Sequence, residues 1–201
     1  MFILRHRHFR VLQLCNAGHN FLNRLGVAAW TAYVIAVGSN GATSLSTVKT
    51  AAAAGSVLGG LAVGALATRV GRRRLLLWGY FVGALLGRVV PGLVAALPVW
   101  LVGSAARSGG AQLFNGPATA IWQEQVERHR QGSVFGARRL LGQGPYPLAV
   151  LLGGALGDVF ANHLGLFLVT LGCAEVAVGG VLATSRAVRE LATAPMLQPQ
   201  P

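Results

Sequence analysis

The 201-residue chain has only five acidic side chains, Glu124, Glu127, Asp158, Glu175 and Glu190. Four of them stand at or beyond the ends of apolar runs. Glu175 stands inside one, between Leu171-Gly-Cys-Ala and Val176-Ala-Val-Gly. A carboxylate in such a setting has two uses: it pairs with a buried cation, or it carries a proton. If the run is a helix, Glu175 sits about 17 Å from one end, and Arg107, in another apolar run, sits about 14 Å from the same side at 1.5 Å per residue. Their depths allow pairing, and both uses stay open.

Two further constellations have helical spacing. Asn16, His19, Asn20, Asn23 and Arg24 recur at i, i+3, i+4, i+7 and i+8, which places them on one helix face. Ser104, Arg107 or Ser108, Gln112 and Asn115 repeat the pattern in a second run. Lipid offers such groups no hydrogen bonds, so in a membrane they must face protein or water. Asn16, Asn20, Asn23, Arg24, Arg107, Gln112 and Asn115 are therefore candidates to line a shared aqueous cavity. The competing reading is a set of interhelical hydrogen bonds that only hold a bundle together. His6, His8 and His129 alternate with arginines and read as parts of solvated charged faces. Cys15 and Cys173 both lie in apolar segments and read as small buried residues, with no disulfide or metal role. No acid, base or metal-ligand cluster emerges, so neither an enzyme site, a metal nor a cofactor is expected.

The elements that position these groups follow from composition. The chain is 53% hydrophobic and 11% charged, where a soluble domain carries about a quarter charged residues. A helix needs about 20 mostly apolar residues to cross the hydrocarbon core. Such stretches are expected near 11–37, 45–68, 74–96, 98–122, 136–157 and 164–184. The fold expected is an all-α membrane protein: a six-helix domain over 1–190 and a disordered cytoplasmic tail over 191–201, where Pro195, Pro199 and Pro201 oppose a packed core. Residues 1–10 imitate the basic region of a signal peptide, but the polar residues from Asn16 to Arg24 interrupt the apolar region that cleavage would need.

Lysine and arginine test this layout independently, because cytoplasmic loops collect them. Arg5, Arg7 and Arg10 precede the first run, Arg69, Arg72, Arg73 and Arg74 follow the second, Arg128, Arg130, Arg138 and Arg139 follow the fourth, and Arg186 and Arg189 follow the sixth. The intervening loops contain none. Both termini are thus expected in the cytoplasm, with the chain a multi-pass protein of the plasma membrane. The net charge of +12 then reflects orientation, and no nucleic-acid partner is expected because no aromatic-studded basic patch accompanies it. Lys49 and Arg88 lie near run ends and are expected to snorkel to the interface. Gly55-x-x-x-Gly59, Gly60-x-x-x-Gly64 and Gly153-x-x-x-Gly157 suit close helix approach. Gly142-Gln-Gly144-Pro145-Tyr146-Pro147 reads as a kink.

The loop Gly64-Ala-Leu-Ala-Thr68-Arg69-Val-Gly71-Arg72-Arg73 resembles the G-x-x-x-D-R-x-G-R-R motif of the major facilitator superfamily, with Thr68 in place of the aspartate. Leu97-Pro-Val-Trp100-Leu, Asn115-Gly116, Ala120-Ile-Trp122-Gln123, Gln131-Gly-Ser133-Val-Phe-Gly-Ala-Arg138-Arg139, Pro147-Leu148 and Gly153-Gly-Ala-Leu-Gly-Asp158 are similar, in order, to the C-terminal half of its macrolide-efflux-type branch. Ser133 replaces the arginine of the usual Q-G-R-V-F. The resemblance spans residues 9–189 and implies one half of a twelve-helix transporter. It implies that the first and fourth helices line the cavity, that the second and fifth contact the other half, and that the sixth is peripheral, which leaves Glu175 a secondary proton or ion-pair site. Gly64, Arg69, Gly71, Arg72 and Arg73 would form the gating-loop motif. The expected function is efflux or exchange of a small amphipathic molecule, proton-coupled or not, with a homodimer or a second transporter half completing the unit in the bilayer. The alternative is a non-transporting membrane subunit or fragment whose polar helix faces serve assembly with a partner.

Overall fold

The computed structural model describes residues 7–186 and residue 189, and within them the chain is helical with no strand. Six helical rods carry the fold. The first is α1 (Arg7–Val37), and the second is α2 (Gly41–Val70). The third begins as α3 (Arg72–Ala84), continues as a π-helical segment over Leu85–Val89 and ends in an α-turn at Val90–Leu93. The fourth is α4 (Leu97–Gln125). A 3-10 turn at Arg128–Arg130 leads into the fifth rod, α5 (Gln131–Gln143) and α6 (Tyr146–Val159). The sixth is α7 (Leu164–Thr184).

Local sequence explains the breaks. Gly71 has φ +83°, a value costly for any side chain, and it separates α2 from α3. Pro91 has no N–H to offer the Gly87 carbonyl, and the ladder just before it widens: Val90 N–H donates to the Leu85 carbonyl, an i→i−5 bond. Gly144 and Pro145 keep right-handed helical dihedrals and form the two-residue turn between α5 and α6.

Three units are long and apolar enough to cross a membrane: Gly41–Val70, Arg72–Leu93 and Ala161–Thr184. The remaining rods owe their lower apolarity to the polar residues on α1 and α4 and to the short lengths of α5 and α6. Across the bundle the outward apolar side chains include Val57, Leu58 and Leu61 on α2, Val102 on α4, Leu151 on α6 and Leu166 on α7, all exposed. Water would penalise so much apolar surface and hydrocarbon would not. The 164–184 expectation coincides with α7, 74–96 ends early at Leu93, and 136–157 is divided between α5 and α6. Arg5, Glu190 and the expected tail over 191–201 lie outside the described residues.

Rod α2 packs chiefly against α4, α3 against α4 and α7, and α1 against α6 and α7. The glycine spacings serve these contacts within the chain. A Cβ on Gly59 would fall 2.5 Å from the Gly109 Cα of α4, Gly55 is equally close to the Ala105 backbone, and Gly153 meets the Leu25 backbone of α1. Gly60 and Gly64 face open space. The core has two apolar clusters: one holds Leu12, Tyr80, Phe114, Trp122 and Leu182, the other Leu25, Tyr33, Trp100, Leu168 and Leu171. Between these clusters α1, α4 and α7 each contribute polar or charged side chains, among them Asn23, Arg107 and Glu175.

Candidate functional site

Glu175 occupies that middle layer with 0% of its side chain exposed. Its partners come from two helices. Arg107 of α4 forms a two-pronged pair, Nη2 donating to Oε1 at 2.9 Å and Nη1 to Oε2 at 3.0 Å. Arg88 of the π-helical segment approaches from a third rod, with Nη1 3.2 Å from Oε1 and a side chain only 4% exposed. A planar guanidinium fork matches a carboxylate, which is why arginine suits such a position better than lysine.

The Nη groups of both arginines also reach the backbone or Asn23. Arg88 Nη1 donates to the Leu22 carbonyl at 2.8 Å and Nη2 to the Asn23 carbonyl at 3.2 Å. Arg107 Nη1 donates to the Gly83 carbonyl at 3.1 Å and Nη2 to Asn23 Oδ1 at 2.9 Å. Gly26 makes room for this: a Cβ there would stand 2.5 Å from the Arg88 Cζ. The cluster therefore ties α1, the third rod, α4 and α7 together at one depth. Beside it, the His19 and Tyr80 rings meet at a tilt of 51°, with centroids 4.7 Å apart. His19 Nδ1 and the Tyr80 hydroxyl are buried without a hydrogen-bond partner, and both border a cavity of about 30 Å³ shared with Asn23 and Arg107.

Two larger cavities touch both α1 and α4, one on each side of this layer, the first walled also by α5 and α6 and the second by α2 and the third rod. The first, about 320 Å³, is lined by Asn16, Asn20, Asn115, Arg138, Arg139 and Tyr146, among others. The second, about 300 Å³, is bordered by Asn23, Trp30, Lys49, Arg88, Ser104 and Arg107, among others. On α1 the two are separated only by the turn from Asn20 to Asn23, about 5 Å of helix rise.

The comparisons with known proteins are silent. No family model, no curated protein and no solved structure matches the chain.

The expected site residues thus divide. Asn16, Asn20 and Asn115 line the first cavity, and Asn20 Nδ2 also donates to the Gly142 carbonyl at 3.2 Å. Arg24 lies over the Tyr146 ring, 4.4 Å from its centroid. Asn23 and Arg107 border the second cavity while bound into the ion cluster. Gln112 joins helices: its Nε2 donates to Ser56 Oγ on α2 at 2.9 Å. In the loop motif, Arg72 makes a bidentate pair with Glu124, Nη2 to Oε1 at 2.7 Å, and Arg73 Nη2 donates to the Ala183 carbonyl at 2.9 Å. These two arginines fasten the start of α3 to the ends of α4 and α7. Arg69 is exposed, and Gly64 faces open space.

Glu175 takes the ion-pair use of the two left open. Two expectations need correction. Arg88 does not snorkel; the wide π turn ahead of Pro91 directs it inward, where Glu175 and two backbone carbonyls receive it. Cys173 is exposed on α7, while Cys15 is buried as expected. Sequence reasoning also missed Glu124 as the Arg72 partner. The signal available was its place at the end of α4, at the same end of the bundle as the basic loop. Among the described residues no cluster of three or more histidines, cysteines or carboxylates could hold a metal ion.

Proposed function

We propose that the chain forms one half of a membrane transporter of the major facilitator type, an efflux-type unit for a small amphipathic molecule, with a second copy of the chain supplying the opposite half. The observation that carries this reading is the pair of cavities on the joint face of α1 and α4, stacked on either side of the Glu175 ion layer. Six membrane-crossing rods with both ends cytoplasmic in the plasma membrane fit the alternation of arginine-rich and arginine-free connections. A transporter of this kind holds its substrate near the membrane midplane between two bundles that rock against each other. An ion cluster that locks four helices of one bundle gives such a bundle the rigidity to rock as a body. Open cavities on a single face suit closure by an equivalent face across an axis. The loop pairs of Arg72 and Arg73 lie at the arginine-rich end, where gating contacts would be made and broken.

A second reading rests on a specific observation as well. Arg107 and Gln112 spend their donors on protein partners, as residues that only assemble a bundle would. On that reading the chain is a non-transporting membrane subunit.

Light scattering of the purified protein, corrected for bound detergent, separates the two. The transporter reading expects a homogeneous particle of two 20.9 kDa copies. A single copy per particle would overturn it in favour of the subunit reading.

A further inference from the structure

The second cavity has a consistent chemistry. One wall is apolar, from Val27, Trp30, Val48 and Ala52, and the polar groups that border it include Lys49, Arg88 and Arg107. No carboxylate lines it. Glu175, the nearest acid, is fully buried behind the two guanidiniums, both of its oxygens held by them. One carboxylate against two guanidiniums leaves this centre with an excess positive charge. Lys49 adds another from α2, exposed and with no ion-pair partner among the described residues. The hydroxyls of Ser104 and Ser108 stand in the same wall. The first cavity repeats the pattern with Arg138 and Arg139 beside Phe135 and Tyr146, again with no acid in its lining.

Low-dielectric walls focus the field of such unbalanced cations into the space between them. A cationic guest would meet uncompensated repulsion there, and a neutral guest would leave the excess charge unanswered. We infer that the ligand of the Lys49–Arg88–Arg107 cavity is an amphipathic organic anion, a carboxylate, sulfonate or phosphate on an aromatic or aliphatic body. This inference deepens the transporter reading and rests on it. The volume of about 300 Å³ lies at the small end of ligand pockets, so the body is of one or two rings. Its apolar part would lie on Trp30 and Val27, and its acidic group would reach Lys49 at the mouth and the Arg107 edge, whose side chain remains 19% exposed.

The test compares two probes of one shape and opposite charge, naphthalene-2-sulfonate and naphthalen-2-ylmethylammonium. Each is titrated calorimetrically into the full chain in phosphatidylcholine nanodiscs, with empty nanodiscs as the blank. The sulfonate should bind saturably and at least about tenfold more tightly than the ammonium, a difference set by charge because shape is shared. Lys49→Glu should weaken the sulfonate by about tenfold or more, and Lys49→Arg should keep it. Each variant is first checked for the monodisperse gel-filtration peak of the parent, so that lost binding is read only from folded protein. Equal binding of the two probes, preference for the ammonium, or indifference to Lys49→Glu would overturn the anion assignment alone. Binding of neither probe would also remove the ligand cavity on which the transporter reading stands.

Discussion

Replacing Glu175 by glutamine keeps the shape of the side chain and removes its charge. The two guanidiniums that face it, at 2.9 Å and 3.2 Å, would then be buried cations without a counter-ion. Removing one partner of a buried pair costs about 3–5 kcal/mol, most of it the penalty of the charge left behind. Two cations share this carboxylate, so the upper part of that range applies to Glu175→Gln. For a domain of this size each kcal/mol moves the unfolding midpoint by about 2–4 °C, which gives a fall of about 8–20 °C. The assay is thermal unfolding in detergent, followed by the loss of the monodisperse gel-filtration peak. A cycle with Arg107→Gln and the double variant isolates the pair, because removing both charges should recover part of the loss. Additive effects, or a shift under about 2 °C for Glu175→Gln, would refute the view that this cluster locks four helices.

Other consequences are as specific. Gly26→Val would collide with the Arg88 guanidinium and should lower the midpoint by an amount close to that of Arg88→Gln, measured in the same assay. Gly59→Leu should prevent α2 from docking on α4 and abolish the folded peak; Gly64→Leu, which faces open space, should leave one bundle intact and instead shift the two-copy particle to one copy by light scattering if a partner docks there. The Arg72–Glu124 pair is half exposed, so Glu124→Gln should cost no more than about 1 kcal/mol in the same unfolding measurement. With Cys173→Ser as background, thiol probes should reach Ser39→Cys and Asn162→Cys from outside intact cells, and Arg69→Cys and Gly132→Cys only after permeabilisation; the reverse pattern would overturn the orientation.

The helices themselves were legible in the chain because hydrocarbon-length apolar runs and arginine-bearing connections announce themselves without any knowledge of packing. The Asn16–Arg24 stripe was legible for the same reason, since 3.6-residue periodicity alone places those residues on one face. The ion cluster was not. Depth along a helix can be counted, which brought Glu175 and Arg107 to compatible levels, but the rotation of each helix about its axis is set by partners far away in sequence. Arg88 shows why the expectation failed: its position before Pro91 suggested a helix end, whereas the π turn there rotates the segment so that the side chain points inward. Gly55 and Gly59 were readable as a close-approach motif, yet nothing local could tell that their partners are Ala105 and Gly109 of the same chain.

The central claim is that the joint face of α1 and α4 is a water-filled route and not a sealed seam. It is tested most directly by the accessibility of Asn115→Cys and Lys49→Cys, in a Cys173→Ser background, to a membrane-impermeant charged thiol reagent. The two sites line the two cavities on either side of the Glu175 layer. Both should react, Lys49→Cys from outside and Asn115→Cys from the cytoplasmic side, and naphthalene-2-sulfonate should slow the reaction at Lys49→Cys. If both sites stay unreactive to the charged reagent while a lipid-soluble maleimide labels them, the face is sealed and the account is contradicted.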